Sequence, residues 1–505
     1  MLSNAIRGGL HHLIKRASSW QRAPRAPFST SAVDLADVTK SLRDRGLVYQ
    51  STPELDTHLR SGRRTVYAGF DPTADCLHLG NLLIIMTLMH FQRAGHNVVA
   101  LVGGATGLIG DPSGKNTERQ LLHPDDVERN VEGIRGILEK FLMAPHSIAD
   151  AMGQSSDRHL QIVSKPGSVQ IVNNRDWYNN MSIIEFLRDV GKSFRIGPML
   201  ARDSVKNRLQ SAEGLSFTEF SYQVLQGHDF YHLYRQTGCT VQVGGSDQWG
   251  NITAGIEYVQ KRGNTQSAPQ ATSASEVHGM TVPLLTTSTG EKFGKSAGNA
   301  LWLDGEKTSP YTLYQFLLQV PDADVEKLLM NLTFLQVPYI QAVMAEHMEN
   351  PELRKAQKCL AEEVLKIVHG ERGLSIAQQA TALLFPSSQS TVDGTKGSSS
   401  HKITASEFLL ALKGVPLVEI PREKALSMSL IDLAVASKLV DSKNAARRLV
   451  QSGGLYVANE KVTDGMAKLT PQQIHLDSVV LLRQGARKQH VISLIDSSSG
   501  TSQRV

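Results

Sequence analysis

Residues 64–104 constrain the fold of this chain more than any other stretch. Thr65–Phe70 is an apolar run of strand length, Asp71–Ala74 is turn-like, and a segment of helical length runs from about Leu79 to Ala94 and stops at Gly95. That segment is apolar on nearly every face, through Leu82, Leu83, Ile84, Ile85, Met86, Leu88, Met89 and Phe91. A helix of this kind has no side to show to water, so it must lie buried against a sheet. Val98–Val102 supplies a second buried strand closed by Gly103-Gly104, and Thr240–Val243 followed by Gly244-Gly245 repeats the strand-to-glycine pattern. Strands alternating with helices in this way predict a doubly wound, Rossmann-type α/β domain with its ligand at the carboxyl ends of the strands.

The rest of the chain is divided by composition. With 505 residues there is room for several domains, and nowhere do 18 apolar residues run together, which excludes a membrane-spanning helix. Cys76, Cys239 and Cys359 form no CxxC pair, which argues against a cysteine zinc site or a disulfide framework. Residues 1–33 hold Arg7, Lys15, Arg16, Arg22 and Arg25 with no acidic residue, the pattern of a mitochondrial transit peptide. Asn264–Glu276 is polar and is expected to be a disordered insertion, and the Ser-rich Pro386–Ser400 a flexible link. The expected organisation is therefore a leader over 1–33, an α/β domain over 34–308, an all-helical domain over 309–385, a linker over 386–418 and a small α+β module over 419–505. That last module carries 12 Lys and Arg against 8 Asp and Glu, a basic balance that suits a polyanionic partner.

Two short motifs carry chemistry. His78-Leu79-Gly80-Asn81 opens the buried helix, where free backbone amides and positive potential attract phosphate. Its ordinary alternative is a capping histidine beside a packing glycine. Glu291-Lys292-Phe293-Gly294-Lys295-Ser296 places two lysines and a serine on a glycine-flanked loop, which suits a clamp on a pyrophosphate; a solvated charged loop is the commoner fate of such a run.

Taken together, HxGN after an early strand and KFGKS more than 200 residues later resemble the HIGH and KMSKS signatures of the class I aminoacyl-tRNA synthetases. Tyr67–Asp75 (YAGFDPTAD), Gly103–Gly114 (GGATGLIGDPSG), Phe217–Tyr222 (FTEFSY) and Gly244–Ile252 (GGSDQWGNI) narrow the resemblance to the bacterial and mitochondrial tyrosyl-tRNA synthetases. The sequence departs from the family at Asn81, where the second histidine of HIGH stands, and at Phe293-Gly294, in place of the Met and first Ser of KMSKS. After Gly114 it has Lys115 and Arg119 but lacks one of two adjacent lysines.

The resemblance implies a tyrosine–tRNA ligase that uses ATP with Mg²⁺ and no protein-held metal. Tyr67 and Asp229 would bind the phenolic hydroxyl of L-tyrosine, Asp111, Tyr222 and Gln226 its ammonium group, and Gln248 would lie near its carboxylate. Gly69, Asp71, His78, Gly80, Gly244 and Asp247 would line ATP. His78, Asn81, Lys115, Arg119, Lys292, Lys295 and Ser296 would stabilise the transferring phosphate. The helical domain would be of the anticodon-binding type and the C-terminal module an S4-like RNA-binding domain, with Lys443, Arg447 and Arg448 on tRNA(Tyr) phosphates. A homodimer in the mitochondrial matrix is implied as well. The alternatives are a tryptophanyl-tRNA synthetase, disfavoured by Tyr67, Asp229 and FTEFSY, and an RNA-binding factor that has lost catalysis, disfavoured by the retained His78, Lys292, Lys295, Asp111 and Asp229. Some fungal mitochondrial relatives also assist group I intron splicing, a second role that the sequence leaves open.

Overall fold

The computed structural model describes residues 38–143 apart from 116 and 118, then 166–263, 276–296, 299–385, 403–413, 415–485 and 488–496. The leader 1–33, the insertion up to residue 275 and the Ser-rich stretch 386–402 lie outside the described residues. Among the described residues no helix is long and apolar enough to cross a membrane.

Six strands form the main sheet: β1 (Gln50–Ser51), β2 (Thr65–Phe70), β3 (Asn97–Val102), β4 (Val169–Asn173), β5 (Cys239–Gly245) and β6 (His278–Val282), in the order β1-β6-β5-β2-β3-β4. All neighbouring pairs are parallel except the edge pair β1/β6. The chain winds outward from β2 through β3 to β4, then returns to the other side of β2 as β5 and continues to β6. The strand order therefore reverses between β2 and β5, and a crevice opens there beyond their carboxyl ends.

Among the helices that cover this sheet are α1 (Leu79–Arg93), α2 (Phe217–Thr237) and α3 (Trp249–Gly263). Side chains of β2 alternate between two cores, because successive residues of a strand point to opposite faces. Val66, Ala68 and Phe70 pack with Leu82, Ile85, Met86 and Met89 of α1, as its all-round apolar surface demands. Tyr67 packs on the other face with Phe230 and Leu233 of α2 and Ile252 and Val259 of α3.

A helical region follows, α4 (Pro310–Leu318), α5 (Asp322–Leu332), α6 (Val337–Glu349) and α7 (Lys355–Leu384), the last kinked at Gly370, whose φ of 70° leaves the helical region. The buried Arg45 fastens it to the start of the α/β domain, donating to the carbonyls of Met330 and Thr333 at 2.9 Å each and also to that of Leu335.

The linker expected over 386–418 is shorter than its composition suggested. Residues 405–411 form α8 (Ala405–Ala411), and strand β9 (Leu417–Pro421) opens the C-terminal module two residues before the expected boundary. Thr404 caps α8 reciprocally with Glu407, and the helix faces inward through Phe408 and Ala411, one turn apart. These side chains, with Ile403 and Leu412, join Tyr311, Ala380 and Leu384 of the helical region to Val479, Leu481 and Val491 of the module. The segment is thus apolar packing between two domains, too short to register as periodicity beside a serine-rich run. The module adds α9 (Lys443–Gln451) and a second sheet in which β10 (Leu455–Val457), β11 (Glu460–Lys461), β12 (Val479–Gln484) and β13 (Lys488–Ile495) join β9 in the order β11-β10-β12-β13-β9.

Candidate active site

The crevice at the strand reversal is a cleft of ≈ 470 Å³. Its phosphate-seeking side begins at the N-terminus of α1. His78 is the N-cap: its Nδ1 accepts from the Gly80 amide at 3.0 Å, while its own amide donates to Asn81 Oδ1 at 3.0 Å. The capping reading of HxGN is therefore realised, and it prepares the chemistry. With Nδ1 used as an acceptor, a neutral ring carries its proton on Nε2 and presents a donor. Asn81 likewise keeps its amide NH₂ as the group left to donate. Gly80 is required here, because a Cβ would come within 2.9 Å of His78 Cε1.

The KFGKS segment is anchored to the same helix end. Leu79 N–H donates to the Leu301 carbonyl at 2.8 Å, and Leu301 N–H donates to the Gly294 carbonyl at 2.9 Å. Gly294 has φ 92° and lies so near Leu79 that an added Cβ would stand 3.2 Å from the leucine's own. Phe293 is buried, its ring 5.2 Å from that of Phe316. The two residues that depart from KMSKS are therefore the anchor of the loop. Lys292 lines the cleft. Lys295 and Ser296 form β7, a two-residue strand paired with β8 (Asn299–Ala300); their side chains lie outside the described set.

Among the described residues four carboxylates face the cleft, Asp71, Asp111, Asp247 and, deeper, Asp229. Asp71 accepts from Thr106 Oγ1 and from the Tyr222 hydroxyl, both at 2.8 Å. Burial, and next the charge of Asp111, push its pKa up to about 6. Asp111 accepts from the Ser113 amide at 2.9 Å and from Gln248 Nε2 at 2.7 Å. Asp247 is also raised, by burial and then by Asp111. Lys115 and Arg119 line the same wall, and Arg119 Nε donates to the Asp111 carbonyl at 3.0 Å. Gly69 has nothing within 4 Å of where a Cβ would be, so β2 presents bare backbone to open cleft; Gly244 instead lies against Gln248.

The raised carboxyl of Asp71 has a consequence for stability. A folded-state pKa above the unfolded value means that the folded protein binds the proton more tightly. The contribution is then best below about pH 4, is lost as pH rises to about 6, and is flat beyond. Both partners of Asp71 are hydroxyls that can turn to donate or accept, so asparagine can take its place. Asp71→Asn should raise stability at pH 8 by about 1–2 kcal/mol, discounted for the open cleft, and by much less at pH 4. Thermal melts at the two pH values check this; equal shifts at both would refute the ionic explanation.

Deeper in, α2 and β2 build an apolar slot with a polar end. Tyr67 is 1% exposed and Asp229 2% exposed. The Tyr67 hydroxyl and Gln226 Oε1 are buried without a hydrogen-bond partner among the described residues. Asp229 accepts from Asn174 Nδ2 on Oδ2 and from Trp177 Nε1 on Oδ1, each at 3.0 Å, and the Tyr178 hydroxyl also lies close enough to support its charge. Burial nevertheless lifts its carboxyl to about 7. A slot of ring-sized apolar walls ending in an unsatisfied phenol and a carboxylate fits a ligand with an aromatic ring and a hydroxyl at its far end.

Residues 60–386 match the family model described as "tRNA synthetases class I (W and Y)", and residues 407–492 match one described as "Tyrosine--tRNA ligase SYY-like C-terminal domain". The tyrosine–tRNA ligase of Protochlamydia amoebophila is 44% identical over 92% of this chain and 100% of its own length. The mitochondrial tyrosine–tRNA ligase of Drosophila melanogaster is 42% identical over 89% of this chain and 93% of its own. This chain belongs to the class I tyrosyl-tRNA synthetases. A C-terminally truncated mitochondrial tyrosyl-tRNA synthetase from Aspergillus nidulans also superposes with a TM-score of 0.61 at 34% identity, covering 69% of this chain and 94% of that one.

Within this synthetase the structure gathers sixteen of the sequence-derived candidates of the α/β domain around one cleft, Tyr67, Gly69, Asp71, His78, Gly80, Asn81, Asp111, Lys115, Arg119, Tyr222, Gln226, Asp229, Gly244, Asp247, Gln248 and Lys292; the side chains of the other two, Lys295 and Ser296, are outside the described set. Lys443, Arg447 and Arg448 are elsewhere, exposed on α9 of the C-terminal module, with Ser442 as the cap expected from the sequence. Lys443 pairs with Asp432 at 2.6 Å. Sequence reasoning missed Thr73 and Thr106, which line the cleft, and Asn174 and Trp177, which hold Asp229. Asn174 and Trp177 lie just beyond β4, whose VQIVN is short, broken by Gln170 and followed by no glycine, so the strand-to-glycine pattern that marked the other loops does not mark this one.

Proposed function

We propose that this synthetase activates L-tyrosine with ATP and transfers it to the 3′ end of mitochondrial tRNA(Tyr). The tyrosine carboxylate oxygen attacks the α-phosphorus, the bond to the bridging oxygen breaks, and pyrophosphate leaves. A terminal ribose hydroxyl of the tRNA then attacks the tyrosyl carbonyl and AMP departs. The observation that carries this reading is the polar end of the slot: an orphaned Tyr67 hydroxyl beside the Asp229 carboxylate, where a tyrosine phenol would satisfy both.

The remaining roles follow the cleft outward. Asp111, Tyr222 and Gln226 take the ammonium group and Gln248 lies by the carboxylate, so the nucleophile is held where ATP enters. Gly69 and Gly244 let the nucleotide approach the strand ends, with Asp71 and Asp247 on its polar groups. His78 Nε2, the Asn81 amide, Lys115, Arg119, Lys292, Lys295 and Ser296 are the donors for charge that grows on the phosphates. Mg²⁺ would arrive with ATP and offset its charge. The cleft carboxylates Asp71 and Asp111 already accept from their own neighbours, which suits an ion held mainly by phosphate and water.

The helical region would be the anticodon-binding domain and the C-terminal module an S4-like RNA platform. Self-association as a homodimer is supported by the apolar side chains exposed between residues 183 and 217, among them Ile183, Ile184, Ile196 and Phe217, the last 77% exposed. The acid-free basic N-terminus supports delivery to the mitochondrial matrix. Amino-acid-dependent ATP–pyrophosphate exchange, comparing tyrosine, phenylalanine and tryptophan, tests the central claim. Exchange with tyrosine alone is expected; exchange with tryptophan, or with none of the three, would overturn it.

A further inference from the structure

Trp177 sits on a one-turn helix, Arg175–Tyr178, that has no buried residue of its own to hold it in place. Its indole packs partly buried on the core around Tyr67 and Phe230, and two further contacts set its orientation. The N–H donates to Asp229 Oδ1 at 3.0 Å, and the ring face lies against His232 with centroids 4.2 Å apart and planes 16° from parallel. The ring pairs nearby pack edgewise or tilted: Tyr67–Phe230 at 51°, Trp177–Tyr178 at 46° and His228–Tyr258 at 53°. Those contacts fill space. The flat stack does more, because it sets the plane in which the indole N–H points. Asp229 and His232 are three residues apart on α2 and so share one face, one turn apart. One helical turn thereby grips both the edge and the face of the same indole.

We propose that His232 is a positioning residue for tyrosine recognition: stacked on Trp177, it holds the indole N–H on Asp229 and so aims the carboxylate at the substrate phenol. It touches neither substrate nor phosphate. Burial lowers its pKa below the ordinary imidazole value, so the ring is neutral near pH 7 and stacks as an aromatic plane. Losing the stack leaves Trp177 able to swing. Asp229 then loses a donor, and the cost falls on tyrosine binding alone.

The proposal rests on Asp229 receiving the substrate phenol, and the test separates the two. With the full chain in pyrophosphate exchange, His232→Ala should raise KM for tyrosine about three- to tenfold, leave KM for ATP unchanged and lower the preference for tyrosine over phenylalanine. His232→Phe, which keeps a flat ring, should restore the wild-type KM. In a Trp177→Phe background, which has no indole N–H to aim, His232→Ala should add little. An unchanged tyrosine KM in His232→Ala, a parallel rise in both KM values, or the same penalty in the Trp177→Phe background would each overturn the proposal. Asp229→Asn identifies which reading has failed. If it cripples tyrosine use while His232→Ala does not, only the positioning role is lost. If it leaves tyrosine use intact, the assignment of Asp229 falls and the role of His232 falls with it.

Discussion

Asp229→Ala should reduce kcat/KM for tyrosine in pyrophosphate exchange by about a hundredfold or more while leaving the fold intact. The size follows from what the change leaves behind. A hydrogen bond to an ionised partner contributes about 1.5–3 kcal/mol, and the Tyr67 hydroxyl alone cannot replace it. The donors Asn174 Nδ2 and Trp177 Nε1 would also be left without their acceptor. The fold should survive, because Asp229 is held in the structure at a cost. Its carboxyl is raised to about 7 by burial, so above that pH the folded protein carries a charge that it would hold more easily if unfolded. Alanine relieves that cost and partly offsets the lost hydrogen bonds. Asparagine is no rescue: both carboxylate oxygens accept, so its NH₂ must meet either Asn174 or Trp177 as donor against donor. Melting and exchange measured together decide the matter. A variant that melts like the wild type and still activates tyrosine normally would show that Asp229 does not read the phenol.

The same residues show what the sequence could and could not disclose. Asp71, Asp247 and Gln248 stand just beyond strand ends marked by glycine, and glycine at a strand end is visible in one dimension. The reasons for those glycines are not. Gly103 is there because a Cβ would come within 2.1 Å of Asp71 Oδ1, and Gly104 because of Asn173, both contacts between segments far apart in sequence. Asn174 and Trp177 escaped notice because β4 is an edge strand of five residues following a long stretch without periodic pattern. Phe408 was hidden for a related cause. A seven-residue helix offers too few positions for a period, and its partners Tyr311, Leu384 and Val491 come from three other elements. His78 illustrates the converse. Capping histidine and phosphate donor looked like rival readings, yet the cap uses Nδ1 as an acceptor and so puts a neutral ring's proton on Nε2, the nitrogen that donation to a phosphate requires.

Arg447→Glu with Arg448→Glu should lower tRNA charging by about a hundredfold at physiological salt and leave pyrophosphate exchange within about twofold of wild type. Both arginines are exposed on α9, whose buried face is carried by Ala446, so reversing them removes no packing. Lys443 is better left alone, since its ion pair with Asp432 would become two facing carboxylates. Removing the whole module is a poorer test. Val479, Leu481 and Val491 cover Tyr311, Ala380 and Leu384, and deleting residues 386–505 would expose that apolar surface and confuse lost RNA binding with lost stability. Contacts to RNA phosphates act through counterion release, so each one lost should flatten the dependence of log affinity on log salt by about 0.7–0.9. The double variant should therefore bind tRNA more weakly and with a slope lower by about 1.4–1.8. Weaker binding with an unchanged slope would mean that the fold of the module, not its charge, had been disturbed. Unchanged charging and slope would make α9 a solvated basic helix, and the RNA surface would then have to lie on another face of the protein.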